Sequence, residues 1–179
     1  MPSATICATD ADSAVASLDA DAAAGADVTI LAFSGDFDRL TAALLVATSA
    51  AAAGQRVHVY FAFWGIVALK QRRRLRGKSL VHRMLTLMLP SGAASLSTSR
   101  LNMGGLGPWL FRRLMKQTGM PTPDGLLTLA RELGVELIVC PTSMEIMGIG
   151  ADELLPGLHY AGVASFAADA ARSKNSLVF

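Results

Sequence analysis

A cysteine closes an apolar run in VELIVCPTSMEIMG, residues 135–148. The run is rich in β-branched residues and reads as a buried strand that ends on Cys140. A proline follows, and Thr142 and Glu145 stand three apart, the spacing of a capping box. This predicts a short helix from about Ser143 to Gly148. A sulfur atom facing the start of a helix sits where backbone N–H groups and the helix dipole favour an anion. Such a thiol is expected to have thiolate character, and the thiolate, or a persulfide anion on the same atom, is the reactive species. Glu145 adds negative charge to the same turn and opposes this, so a moderate effect is expected. The competing reading is packing, because free cysteine is among the most buried residue types. Thr142 and Ser143 fit capping better than nucleophilic attack. Met144 and Met147 fit core packing better than ligation.

Other chemistry-bearing residues are scattered. His58 falls inside a strand pattern, where a satisfied, partly buried ring is expected. His159 opens another strand, and no Ser-His-Asp arrangement can be built with His82 or either of these. Asp36 and Asp38 fit the start of a helix better than an acid/base pair. Gly104, Gly105 and Gly107 follow no strand, so they lack the context of a dinucleotide fingerprint. Cys7 and Cys140 make no disulfide framework, and with no CxxC or Cys/His cluster a zinc site is not expected. No metal or organic cofactor is implied.

The elements that would position Cys140 follow from periodicity. DVTILAF (27–33) reads as a strand ended by Ser34-Gly35-Asp36, and RLTAALLVATSAAAAG (39–54) as a helix that stops at Gly54. RVHVYFAF (56–63) is a second strand, which completes a βαβ unit with parallel strands. A helix is expected to begin within residues 64–70. LVHRMLTLML (80–89) has helical spacing up to Pro90, and PWLFRRLMKQTG (108–119) begins on a proline suited to a first helical position. TPDGLLTLARELG (122–134) is a helix capped by Thr122. LHYAGVASF (158–166) contains a fourth strand, AADAARS a helix, and NSLVF (175–179) a last strand. The pattern predicts an α/β fold: three layers, with a mainly parallel sheet of about five strands flanked by helices, as in flavodoxin-like or Rossmann-like domains. In such sheets ligand sites lie beyond the carboxyl ends of the strands. That edge should gather Cys140, Ser34-Gly35-Asp36 and Phe63-Trp64-Gly65.

The totals fit one domain. The 179 residues are 52% hydrophobic and 17% charged, with net charge +2. That is enough apolar content for a core and argues against disorder. Residues 1–26 read as a flexible leader and 27–179 as a single domain, with a basic, helical insertion at about 70–120. The leader holds aspartates and no basic residue, unlike a secretory signal. VHVYFAFWGIVAL (57–69) is too short to span a bilayer and reads as two core elements. A cytoplasmic protein with reduced thiols is expected, with membrane association open through the basic loop 70–83. That loop is either a solvated surface or a dock for an acidic partner or a membrane. No nucleic acid is expected, because aromatic residues are not interleaved with its charges.

LAFSGDFDRLTAALLVATSAAAAGQRVHVYFAFWG and RLNMGGLGPWLFRRLMKQTGMPTPDGLLTLARELGVELIVCPTSMEIMGI resemble DsrE/DsrF-like proteins, in particular the DsrE2-type, peroxiredoxin-like branch. The resemblance implies a DsrE-like α/β domain and a homo-oligomer (trimer, tetramer or hexamer). It also implies a role in sulfur transfer as a persulfide carrier or sulfurtransferase component. Cys140 matches the family cysteine by context. Thr142, Ser143, Met144, Glu145, Gly35, Trp64 and Asn102 are its supporting residues. A TusA-like sulfur carrier is the implied acceptor and a rhodanese-like protein the implied donor. The expected family form is Ala-Cys-x-Met-Ser-Met-Asp, and this chain departs from it with Val139-Cys140-Pro141-Thr142-Ser143-Met144-Glu145. Pro141 removes one backbone N–H beside the sulfur. A thiol peroxidase and a non-catalytic oligomeric binding module are the alternatives.

Overall fold

The computed structural model describes residues 25–72, 74, 78–89, 92–98, 100, 103 and 106–179. Five strands, β1 (Val28–Ala32), β2 (Val57–Phe61), β3 (Glu136–Val139), β4 (His159–Tyr160) and β5 (Asn175–Val178), form one sheet in the order β4-β3-β2-β1-β5. Every pairing is parallel. The chain steps from β1 to β4 in one direction and then returns to the far side of β1. With right-handed crossovers this reversal places the last helix on the opposite face from the first. Helix α1 (Phe37–Ala52) buries Leu40, Ala43, Leu44 and Ala47 in one core with Ile30 and Val59, and helix α4 (Pro123–Glu132) joins them through Leu126 and Ala130. On the other face, helix α6 (Val163–Arg172) sets Phe166 edge-on to Tyr60, ring centroids 5.4 Å apart, above Leu31 and Ile138. The expected three-layer architecture is present, with all five strands parallel.

Local differences from the sequence reading have physical causes. Helix α1 begins at Phe37, and Asp36 takes the N-cap position. Asp36 accepts a hydrogen bond from the Ser34 hydroxyl at 2.8 Å. Residues Phe63–Leu69 form a 3-10 helix, not the start of an α-helix, with Ile66, Val67 and Leu69 buried. Helix α2 (Leu80–Met88) follows the expected bounds, whereas α3 (Leu106–Gln117) starts two residues before its proline. Thr122 occupies the N-cap of α4 without making a side-chain cap bond, and Pro123 fills the first helical position. Helix α6 absorbs residues read as strand: β4 ends at Tyr160 and the helix starts at Val163. Among the described residues no helix is long and apolar enough to cross a membrane.

The basic segment after the 3-10 helix is not wholly a solvated surface. Lys70 has a fully buried side chain 3.5 Å from the Glu153 carboxylate, and Lys78 pairs with the same group. Arg74 pairs with Asp152. The backbone N–H groups of Gln71 and Arg72 donate to the Glu153 carbonyl, and Lys70 forms an antiparallel bridge with Leu154. One buried acid therefore clamps the entry of the basic segment to the turn before β4. Removing one member of a buried ion group leaves charge without compensation. Glu153→Gln is expected to lower the unfolding free energy by about 3–5 kcal/mol, measured by urea denaturation at neutral pH. A loss below about 1 kcal/mol, the scale of an exposed pair, would show that the two ammonium groups reach water.

Candidate functional site

Parallel register decides which residues surround the cysteine. Phe61 pairs with Ala32 and with Val139, and Val139 pairs with Tyr160. The next residue on each strand is Phe33, Ala62, Cys140 or Ala161. The ladder continues through that row: Ala62 N–H donates to Ala32 O, Cys140 N–H to Phe61 O and Ala161 N–H to Val139 O, at 3.0 to 3.2 Å. Side chains alternate faces along a strand. Leu31, Tyr60 and Ile138 face α6, so the row two residues on, Phe33, Ala62, Cys140 and Ala161, faces the same way.

That row lies beyond the start of α6, and a cavity of about 210 Å³ opens there. Cys140 lines it together with Phe33, Tyr60, Phe61, Phe63 and Phe166. Ala62, Ala161 and Gly162 form the remaining floor, and their small side chains keep the space open. Cys140 has 6% of its surface accessible, while the rim residues Phe33, Phe63 and Val163 are exposed. Phe63 adopts φ 46, a left-handed conformation uncommon for a bulky residue, and this observed strain sits at the rim.

The helix after the cysteine starts earlier than its sequence suggests. Helix α5 spans Pro141–Met147, with Cys140 itself at the N-cap position, and Gly148 closes it at φ 62. The Thr142–Glu145 capping box does not form, because Pro141 supplies the fixed φ of the first helical position and makes Thr142 the second helical residue. Met144 N–H donates to Cys140 O at 3.1 Å. Pro141 has no N–H, which leaves Thr142 and Ser143 as the first-turn residues without an intrahelical acceptor. Thr142 and Glu145 are exposed, whereas Ser143, Met144 and Met147 are buried. Among the described residues, none of the supporting residues expected around the cysteine lines its cavity. Gly35 and Trp64 instead pack on each other: a Cβ on Gly35 would stand 2.9 Å from Trp64 O. A Cβ on Gly65 would stand 2.1 Å from Ala32 O, so only glycine lets the β1 and β2 ends meet. Asn102 and the Gly104-Gly105 pair lie outside the described residues.

Residues 24–178 match the model of the DsrE/DsrF/DrsH-like family. The chain belongs to that family. Among its relatives, "Uncharacterized protein YrkE" of Bacillus subtilis (strain 168) is 37% identical over 143 residues, 79% of this chain and 89% of that protein. "Sulfur carrier protein DsrE2" of Allochromatium vinosum is 28% identical over 141 residues, 76% of this chain and 87% of that protein. The crystal structure of the ychN protein from E. coli superposes with TM-score 0.48 and 11% identity, covering 86% of this chain and 99% of that one.

Of the aromatic walls, sequence reasoning placed only Phe63 at the edge of the cysteine. Tyr60 and Phe166 sit about a hundred residues apart, and only the crossing of α6 over the sheet brings them together. The signal for Phe33, as for Phe63, was its place at a strand end.

Behind the cavity lies a polar cluster. Asp169 of α6 accepts hydrogen bonds from the Tyr60 hydroxyl at 2.6 Å and from His58 Nδ1 at 2.9 Å, and Arg172 donates to its other oxygen at 3.0 Å. His58 Nε2 stands 3.4 Å from Glu136, so the ring is partnered on both sides, as expected for a partly buried histidine. Burial pushes the Tyr60 phenol far above its ordinary value, and the hydrogen bond to Asp169 adds to that. Burial alone would raise Asp169, but the bonds from Tyr60, His58 and Arg172 outweigh it and hold the carboxyl below its ordinary value. A carboxyl lowered by folding stabilises above its unfolded value, and that stability is lost as pH falls through the folded value. Asp169→Asn is therefore expected to cost about 1–3 kcal/mol at neutral pH. The deficit should shrink towards roughly pH 3, below the ordinary carboxylate range. Urea denaturation at both pH values checks this, and a deficit that stays constant would contradict the ionised role.

Proposed function

We propose that the protein is a sulfur carrier that holds sulfane sulfur as a persulfide on Cys140. The carrying observation is a thiol in the wall of an aromatic-lined cavity at the carboxyl edge of the sheet. The relation to a protein named as a sulfur carrier supports the same reading.

The chemistry is exchange at sulfur. The Cys140 thiolate attacks the outer sulfur of a donor persulfide. A new S–S bond forms at Cys140, the donor's S–S bond breaks, and the donor leaves as a thiolate. An acceptor thiolate later attacks the outer sulfur and Cys140 departs as a thiolate. Neither step changes the total oxidation state, so no external oxidant or reductant is required.

The cavity suits the cargo. Sulfur is polarizable and makes favourable contacts with aromatic rings, worth about 0.3–1.5 kcal/mol each. Phe33, Phe63, Tyr60 and Phe166 offer such contacts to an outer sulfur on Cys140. The Tyr60 hydroxyl is engaged by Asp169, which leaves the ring as its contribution to the cavity. The donor and acceptor belong to the same reading: a rhodanese-like protein and a TusA-like carrier bring a persulfide and a thiol of the required kinds.

Mass spectrometry of the intact chain tests the assignment. After incubation with polysulfide, the parent and a Cys7→Ser variant should each gain the mass of at least one sulfur atom, and dithiothreitol should remove it. Cys140→Ser should gain none. Retention of all added sulfur by Cys140→Ser would place the cargo elsewhere. Conversion to a sulfenic acid with peroxide turnover, and no sulfur uptake, would favour a thiol peroxidase.

A further inference from the structure

The cavity over Cys140 is chemically uniform. Among the described residues, none that lines it carries a charge. Its one hydroxyl, that of Tyr60, is donated to Asp169 at 2.6 Å and is not available to a guest. Asp36 and Asp169, each three residues from a lining phenylalanine, are engaged elsewhere. Asp36 is held by Ser34 and Arg39, and Asp169 by Tyr60, His58 and Arg172. The apolar character continues to the mouth, where Phe33 is 38%, Phe63 48% and Val163 66% exposed. Cys140 itself is 6% exposed, so a partner's sulfur must pass these residues to reach it.

Sulfur transfer makes a particular demand of such walls. An attacking thiolate brings one negative charge in, and the departing Cys140 thiolate carries one away. During exchange that charge is shared along a row of polarizable sulfurs. A second charged group on the acceptor gains no such relief. An ammonium, carboxylate or sulfonate held in the mouth loses water and meets no partner. Size acts in the same direction. The space of about 210 Å³ lies below the roughly 300–1,000 Å³ of pockets that enclose drug-sized ligands, so it admits a narrow arm.

We infer that Cys140 passes its sulfur to thiols carried on a narrow, uncharged arm and is closed to charged low-molecular-weight thiols such as glutathione. Phe33, Phe63 and Val163 are the specificity-determining residues. The inference rests on the persulfide reading of Cys140 and adds the class of acceptor. In the selected step a new S–S bond forms to the acceptor, the S–S bond at Cys140 breaks, and Cys140 keeps the electron pair as a thiolate. A carrier with this selectivity holds its cargo among charged free thiols. It releases that cargo to a protein whose cysteine projects from a tip of small or apolar residues.

The full chain carrying Cys7→Ser, loaded to completion with polysulfide and desalted, tests the selectivity. Loss of the added sulfur mass is followed with 2-mercaptoethanol, 2-mercaptoethanesulfonate or glutathione, each at the same thiolate concentration. In the native protein 2-mercaptoethanol should unload Cys140 at least about tenfold faster than either charged thiol. In urea above the unfolding transition the three rates should agree within about threefold. Val163→Lys should bring the sulfonate to within about threefold of the neutral thiol, and Val163→Glu should widen the gap. Neither should change the rate with 2-mercaptoethanol. Equal native rates, or a gap that survives unfolding, overturns the inference, as does a gap that neither Val163 variant moves. If Cys140 takes up no sulfur, the carrier reading fails instead. Reaction of the free thiol with hydroxyethyl and sulfonatoethyl disulfides then reads the same selectivity, and equal rates there overturn it.

Discussion

The structure depends on one row of the parallel sheet. Because β1, β2, β3 and β4 pair in fixed register, Phe33, Ala62, Cys140 and Ala161 arrive side by side just past the last regular pairs. A one-residue slip of β3 would turn Cys140 to the other face. There it would meet the core that α1 and α4 fill. The register is held by buried residues on both sides of β2 and β3, among them Val59, Phe61, Ile138 and Val139. It is also held by the glycine contact at Gly65, where the β1 carbonyl leaves no room for a Cβ. Two alanines beside the cysteine then convert a strand end into a cavity.

Topology supplies the rest of the wall. The return of the chain from β4 to β5 is the only crossover that carries a described helix onto the second face. This helix starts at Val163, just past the row, so its first turn borders the cavity while Phe166 packs over Tyr60. Asp169, one turn further on, ties the same helix to Tyr60 and His58. Tyr60 thus belongs to both environments, its ring to the aromatic wall and its hydroxyl to the buried carboxylate. The polar network fixes the position of the wall without putting a charged group into it.

The sheet was legible in the sequence because its strands are short apolar runs separated by helix-length segments. Cys140 stood out for a physical reason too: a thiol followed at once by proline marks the point where a strand must stop. Helix starts were less legible. Thr142 and Glu145 matched a capping pattern, but a proline directly after the cysteine begins the helix sooner than that pattern allows. The aromatic wall was only partly readable: Phe63 was placed at the edge with Cys140, but Phe33, Tyr60 and Phe166 look like ordinary core residues, and Phe166 reaches the others only through the crossover. The basic run at 70–78 was half readable: its charge was plain, but Glu153, which buries part of it, lies far along the chain.

The central claim is that the Cys140 sulfur can be reached in the folded protein through an apolar opening. The most direct measurement is the rate of Cys140 modification in a Cys7→Ser variant by a small neutral methanethiosulfonate, compared with a sulfonated reagent of similar size. The account predicts that the neutral reagent reacts with the native protein at a rate insensitive to urea below the unfolding transition, and that the sulfonated one is much slower. Labelling that occurs only as fast as the protein globally unfolds, with both reagents alike, would contradict it.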